Sequence, residues 1–378
     1  MVLVIDSGGV GASEDAPAYH DPTTANTLAN TAKSAGGLHL PTFERLGLGW
    51  ITVMPGVAAQ AKPLATCARL REASNGKDSV TGHWEMMGIT IHNAFPTYPQ
   101  GFPPELIERF EALIGRKSLG NEVASGTEII ERLGAEHMRT GFPIVYTSAD
   151  SVFQVAAHEA IVPLDTLWQW CQTARDILVP PHRVNRVIAR PFDGKPGNFN
   201  RTAGRRDYAV PPPSPSMLEV LERAGVATFG LGKIQDVYSC QGIAAGSRTA
   251  DNDEGLAKTV EWLQRNVSGF CFTNLNDFDS KYGHRRNPDG YAKALLALDA
   301  RLPELLNLLR AGDRLIISAD HGCDPTAPGT DHTREFAPLL DYRPGVPGTM
   351  LGTVDSFSQV GSRVLEAFGV QPAEGLTV

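Results

Sequence analysis

Aspartate and histidine recur together in this sequence where apolar runs end. Asp6 follows Val2–Ile5. Asp279 and His284 follow the run Gly269–Leu275, and Asp320-His321 follows Leu315–Ile317. Asp331-His332 lies a few residues further on, in a Gly-containing loop. Mixed carboxylate and imidazole ligands suit Mn²⁺ or Zn²⁺, and carboxylate-rich sets suit Mn²⁺ or Mg²⁺. A pair of such ions about 3.5–4 Å apart can hold both the attacking and the leaving oxygen of a phosphoryl group. A lone Asp-His dipeptide is more often a surface turn or a helix cap, so the recurrence at three strand ends carries the argument.

Two further groupings fit phosphoryl chemistry. The stretch Ser74-Asn75-Gly76-Lys77-Asp78-Ser79-Val80-Thr81-Gly82-His83-Trp84-Glu85 runs from a Gly-containing turn into an apolar segment. A hydroxyl there can sit at a helix N-terminus, where free N–H groups and the helix dipole favour an anion. The plainer reading, that Ser79 or Thr81 is only an N-cap, has equal standing on this pattern. Arg183, Arg186, Arg190, Arg201, Arg205 and Arg206, with Lys195 among them, concentrate arginine in an otherwise acidic chain. Guanidinium forks match phosphate oxygens; a solvated, internally paired surface is the competing explanation. Phe229-Gly230-Leu231-Gly232-Lys233-Ile234 lacks the first Gly and the Ser/Thr of a P-loop, and Gly8-Gly9-Val10-Gly11 is no dinucleotide fingerprint.

The elements that must position these groups are legible in outline. Short, continuous apolar runs suit strands buried on both faces, as in a parallel sheet under helices. Ligands of such sheets gather at the carboxyl ends of the strands, so three strands ending in Asp aim their carboxylates at one rim. Between them, Leu295, Leu298, Leu302, Leu305 and Leu306 recur at helical spacing, interleaved with Lys293, Asp299, Arg301 and Glu304. Proline-rich stretches at 95–104 and 211–215 bracket a block that contains none of the metal-like motifs. The reading is a discontinuous metal-binding core, residues 1–93 and 211–378, with an inserted cap at 94–210 for substrate recognition.

The bulk properties agree with that outline. At 378 residues the chain is long for one core, and a 42% apolar composition is ordinary for a globular protein. A net charge of −8 gives no global field for nucleic acid or an anionic membrane. There is no apolar run of about 18 residues to form a spanning helix, and the first apolar run is too short for a signal peptide. Five scattered cysteines without C-x-x-C spacing imply a reducing, cytoplasmic setting and neither a disulfide framework nor a structural zinc site. The glycosylation-like triplets at Asn200 and Asn266 then carry no meaning. No repeat or low-complexity tract is visible.

Longer motifs add a family. Gly76-Lys77-Asp78, Thr81-Gly82-His83-Trp84-Glu85, Val145-Tyr146-Thr147-Ser148-Ala149-Asp150-Ser151, Arg186-Val187-Ile188-Ala189-Arg190-Pro191-Phe192, Asp277-Phe278-Asp279, Gly283-His284-Arg285-Arg286 and Pro328-Gly329-Thr330-Asp331-His332-Thr333-Arg334-Glu335 occur in this order. Together they resemble the signatures of phosphopentomutases, of the alkaline phosphatase superfamily. The resemblance implies an alkaline-phosphatase-like α/β core, with a mostly parallel sheet between helices, and a smaller inserted α/β cap. It implies two Mn²⁺ ions (Mg²⁺, Co²⁺ or Zn²⁺ being alternatives), one on Asp6, Asp320 and His321, the other on Asp279, His284 and His332. It places the phosphorylated nucleophile at Ser79, where the family has threonine, and sugar-phosphate contacts at Ser148, Asp150, Arg186 and Lys233, with Arg201 nearby. The implied reaction interconverts ribose 1-phosphate and ribose 5-phosphate, and the deoxy pair, through a phosphoenzyme and a bisphosphate intermediate. A sugar bisphosphate such as glucose 1,6-bisphosphate would prime it.

The implied partner is a small-molecule sugar phosphate, not nucleic acid or membrane, and the oligomeric state stays open. The chain departs from the pattern at Ser79, at Cys323, where Asn is expected after Asp320-His321-Gly322, and at Ala25-Asn26-Thr27, where Ser-Asp-Thr is expected. Thr81 as nucleophile, a modified pentose phosphate as substrate, a metallophosphatase and a non-catalytic phosphosugar-binding protein remain alternatives.

Overall fold

Strands form where the sequence offers short apolar runs and helices where its apolar residues recur every three or four positions. The computed structural model describes residues 1–378 except Ala149, Asp150 and Ser214. In chain order the strands are β1 Val2–Ile5, β2 Ala65–Arg71, β3 Leu119–Val123, β4 Ile144–Thr147, β5 Val152–His158, β6 Arg186–Lys195 and β7 Asn198–Arg201. They continue with β8 Arg206–Ala209, β9 Thr228–Leu231, β10 Ala245–Ser247, β11 Phe270–Leu275, β12 Leu315–Ser318, β13 Ala337–Tyr342 and β14 Met350–Asp355. The chain divides into two compact units: Met1–Ala94 with Pro211–Val378, and Phe95–Val210.

The larger unit is built on an eight-stranded sheet in the order β10-β9-β11-β1-β12-β13-β2-β14. All neighbours are parallel except that β13 runs against both β12 and β2. The register puts Ile5 beside Leu275 and Val4 beside Ser318, so β1, β11 and β12 end level with one another. Every residue of these three strands is buried, as the uninterrupted apolar runs require.

The helix Pro288–Leu308 covers one face, burying Tyr291, Leu295, Leu298, Leu302 and Leu305. It begins as its sequence dictates. The Asn287 side chain accepts from the Gly290 amide, and Pro288 takes the first turn, where a missing N–H costs nothing. Burying each such aliphatic side chain stabilises the fold by about 1.5–3 kcal/mol.

The smaller unit has its own sheet, β3-β4-β5-β6-β7, with β8 also paired to β6. Helices Pro104–Ile114 and Leu164–Ile177 pack on one face around Phe110, Phe153, Val187 and Cys171. The helix Gly126–Thr140 packs on the other through Ile129 and Ile130, against Ile144, Tyr146 and Phe192. All five cysteines are free. Among the described residues no helix is long and apolar enough to cross a membrane.

Candidate active site

The level ends of β1, β11 and β12 deliver the acidic residues to one place. Asp6 follows β1, and the chain turns away at once through Ser7, held at φ 71°. The Ser7 amide donates to Oδ1 of Asp320, the residue two beyond β12, at 3.1 Å. Asp279 comes off β11 in a single π-helical turn, Phe278–Gly283, the kind of irregularity that re-aims side chains at functional sites. Asp6, Asp320 and His321 gather as one set of potential ligands, and Asp279, His321 and His332 as another. His284 closes the second: its Nε2 lies 3.3 Å from Asp279 Oδ2 and 3.1 Å from His332 Nε2. His321 and His332 stack with centroids 3.9 Å apart, so the two sets abut.

The ring orientations are fixed from outside. Nδ1 of His284 donates to the Thr330 carbonyl at 2.7 Å, and Nδ1 of His321 to the Gly322 carbonyl at 3.0 Å. Each leaves Nε2 facing the cluster. His321 Nε2 is 3.3 Å from Asp320 Oδ2 and 3.5 Å from Asp6 Oδ1. Behind them, the Asn274 amide donates to Asp6 Oδ2 at 2.9 Å, its own oxygen lies 3.1 Å from His83 Nε2, and His83 Nδ1 is 3.1 Å from Asp320 Oδ2. This bridge joins Asp6 to Asp320 beneath the cluster.

These residues fit divalent cations. Asp6 Oδ1 and Asp279 Oδ1 are buried yet have no hydrogen-bond donor among the described residues. A buried, unsatisfied carboxylate oxygen costs about 1–3 kcal/mol or more, which a bound cation would offset. The two Nε2 atoms of His284 and His332 point at each other, an arrangement suited to two lone pairs on one ion. Protons do part of this work in the protein alone. Burial opposes charge on His284, but Asp279 and Cys323 push its pKa up to about 11. Burial likewise opposes charge on Lys233, yet Asp6, Asp320 and Asp279 hold its ammonium above the ordinary value.

Ser79 is the first residue of the helix Ser79–Met86. Its Oγ lies 3.1 Å from His321 Nε2 and accepts from Lys233 Nζ at 2.5 Å. The N-cap is Asp78, whose Oδ1 takes the amides of Val80 at 3.0 Å and Thr81 at 3.3 Å. Those N–H groups, expected from the sequence to be free for an anion, are thus occupied. The Thr81 hydroxyl is buried and donates to Asp78 Oδ2 at 2.6 Å. Gly82 lets this helix reach the rim: a Cβ on it would lie 1.8 Å from the Asp320 carbonyl oxygen. Lys233 arrives from the turn after β9, where Gly232 adopts φ +75° against the Asn274 carbonyl. The Gly-Lys segment that fails the P-loop pattern thereby supplies a cation to the rim.

In the smaller unit, Ser148 follows β4 and Arg186 opens β6. Arg186 Nη1 is 3.7 Å from Asp207 Oδ2, while its buried Nε has no hydrogen-bond partner among the described residues. Arg201 ends β7, exposed, its Nη2 converging on Gly126, the first residue of its helix, with the buried Tyr146 hydroxyl, which has no hydrogen-bond partner among the described residues. Arg190 donates to Gln154 Oε1 at 3.0 Å, and burial together with Arg205 and Arg201 lowers its pKa to about 10. Such an excess of cations favours an anion. Asp150 lies outside the described residues.

The sequence reading did not single out Asn274 or the closeness of Cys323 to the second ligand set, 4.0 Å from His284 Nδ1. Asn274 had a signal, as the one amide side chain in an apolar strand. Cys323 was visible only as a departure from Asn.

Comparison with known proteins agrees with this geometry. A family model described as Metalloenzyme superfamily matches residues 1–372. Phosphopentomutase of Carboxydothermus hydrogenoformans is 50% identical over 376 residues, covering 99% of this chain and 97% of the relative. Phosphopentomutase of Anaeromyxobacter sp. (strain K) is 53% identical over 376 residues, covering 99% and 96%. Among solved structures, the PH0037 protein from Pyrococcus horikoshii shares the fold, with a TM-score of 0.52 at 15% identity over 99% of this chain and 98% of that one. With half its residues shared with these enzymes along nearly its whole length, the chain belongs to the phosphopentomutase family, within the metalloenzyme superfamily.

Proposed function

We propose that this enzyme interconverts ribose 1-phosphate and ribose 5-phosphate, and their deoxy counterparts, through a phosphoserine at Ser79. The observation that carries the mechanism is the Ser79 hydroxyl, 3.1 Å from His321 Nε2 at the edge of the two ligand sets. Two Mn²⁺ ions (or Mg²⁺, Co²⁺ or Zn²⁺), one held by Asp6, Asp320 and His321 and the other by Asp279, His284 and His332, would neutralise phosphoryl charge and make the hydroxyl more acidic.

The protein's own residues do the rest. Asp78 fixes the helix start and occupies the Thr81 hydroxyl, which leaves Ser79 as the available nucleophile. Lys233 keeps a positive charge beside that hydroxyl. In priming, Ser79 Oγ forms a bond to phosphorus as the bond from phosphorus to a sugar oxygen of glucose 1,6-bisphosphate breaks. The serine proton ends on the departing oxygen. The phosphoserine then passes its phosphoryl group to the free hydroxyl of a pentose phosphate, and the resulting bisphosphate returns its other phosphoryl group to Ser79. A covalent phosphoenzyme divides the exchange into two in-line transfers. Ser148, Asp150, Arg186 and Arg201 are assigned to the sugar phosphate. The Nε of Arg186, without a hydrogen-bond partner among the described residues, and the surplus of arginine around Tyr146 support a phosphate ligand for the smaller unit.

The test is a coupled assay on the Mn²⁺-loaded enzyme with ribose 1-phosphate, with and without glucose 1,6-bisphosphate. Primer-dependent ribose 5-phosphate is the expected product. Steady release of inorganic phosphate instead would make the protein a phosphatase. Tight binding without turnover would make it a phosphosugar-binding protein.

A further inference from the structure

The segment between β2 and the Ser79 helix, residues 72–78, has no regular structure, so its backbone groups need partners from elsewhere. Two of its donors go to Glu85, which accepts from the Ala73 amide at 2.9 Å and the Ser74 amide at 2.6 Å, and the Asn75 amide donates to the Ile91 carbonyl at 2.6 Å. Three of its carbonyls are taken by one side chain, Arg334. Arg334 Nη1 donates to the carbonyls of Ser74 at 2.9 Å and Gly76 at 2.6 Å, and Nη2 to the carbonyl of Glu72 at 2.8 Å. The same guanidinium pairs with Glu72 Oε2 at 2.5 Å and Asp15 Oδ2 at 2.9 Å and lies 4.9 Å from the centre of the Tyr19 ring.

Arg334 stands two residues after His332, and its side chain is 2% exposed. A second brace runs parallel to it: Lys77 reaches Asp21 at 2.8 Å and Asp331 at 3.1 Å, while the Arg334 amide donates to Asp21 Oδ2 at 2.8 Å. The segment that bears one ligand of the second set is thereby tied, carbonyl by carbonyl, to the loop that delivers Ser79.

We infer that Arg334 is a positioning residue for phosphoryl transfer: it sets the spacing between the Ser79 hydroxyl and the His332 segment without touching substrate. The inference rests on the mutase reading. A planar fork with five donors can serve three carbonyls and two carboxylates at once; a lysine ammonium, with three donors at one point, cannot.

Arg334→Ala and Arg334→Lys test it in the full-length, Mn²⁺-loaded enzyme, with ribose 1-phosphate and primer. In both variants kcat should fall on the order of 10²-fold, the scale of a misplacement of about 1 Å. KM and the number of bound Mn²⁺, counted by electron paramagnetic resonance, should barely move. Added guanidinium should restore part of the Arg334→Ala activity. Full kcat in Arg334→Lys would overturn the inference, as would a loss in folded Arg334→Ala that is explained by missing Mn²⁺.

Should Arg334→Ala not fold, hydrogen exchange in Arg334→Lys decides. Faster exchange confined to residues 72–79 supports the positioning role, and unchanged exchange there contradicts it. Absence of ribose 5-phosphate from the unaltered enzyme would count against the mutase reading alone, because the exchange measurement reads the role of Arg334 independently.

Discussion

At the scale of single residues, the site is a contest for position around one hydroxyl. Ser79 Oγ is shared by Lys233 and His321, whereas Thr81 is committed to its own helix cap. Ser79→Ala is expected to abolish transfer with little change in stability. Ser79→Thr, the residue that the resemblance leads one to expect there, should keep activity within about tenfold, since both offer a hydroxyl and only χ1 freedom changes. Steady-state kinetics on the two variants checks this. Asp279→Asn should remove one of two bound ions, measured by metal analysis of the purified variant, because the orphaned Oδ1 is then no longer backed by a full charge.

The acidic and imidazole residues of the rim stand out in the sequence because charge at the end of an apolar run is expensive unless it is used. The supporting pairs do not stand out. His83 and Asn274 are 191 positions apart, and only the approach of the Ser79–Met86 helix to the end of β11 brings them to 3.1 Å.

At the scale of elements, the helix start and its approach to the sheet control the hydroxyl. Gly82→Ala would push a methyl group into the Asp320 carbonyl. It should destabilise by about 1–3 kcal/mol, as overpacking does, and weaken metal binding as well. Chemical denaturation and a metal titration together read both effects. Asp78→Ala removes a cap and should cost about 1 kcal/mol.

The apolar runs foretell β1, β11 and β12, and helical spacing foretells the helix ending at Leu308, but the antiparallel β13 within a parallel sheet leaves no mark in periodicity. Nor does the π-helical turn at Phe278–Gly283, because one extra residue in a turn is decided by what packs around it.

At the scale of the whole molecule, the two units should respond to different variables. The proposed metal ligands all belong to the larger one, so chelation should lower its stability by mass action, by about 2.7 kcal/mol when the ion had been present at 100 times its dissociation constant. The smaller unit carries its own acid sensitivity. His137 accepts the His158 amide at 2.8 Å on Nε2 and donates to the Phe142 carbonyl at 2.7 Å on Nδ1, so only the neutral ring fits. Burial lowers its pKa below the ordinary 6.5. The unfolded chain therefore binds this proton first. The stability contributed is complete above about pH 6.5 and is lost as pH falls through the depressed folded value. The protection of the His158 amide, measured as its exchange rate relative to the intrinsic rate at each pH, should fall on acidification, and this pH dependence should vanish in His137→Gln.

The central claim, that a phosphoryl group passes through Ser79 to a pentose phosphate, is tested most directly by a pulse and chase. The Mn²⁺-loaded enzyme is mixed with glucose 1,6-bisphosphate labelled in phosphorus, then with unlabelled ribose 5-phosphate. Peptide mass spectrometry should find the label on Ser79 after the pulse, and the chase should move it to ribose bisphosphate. Label on Thr81, or label lost to inorganic phosphate before ribose 5-phosphate is added, would contradict the account.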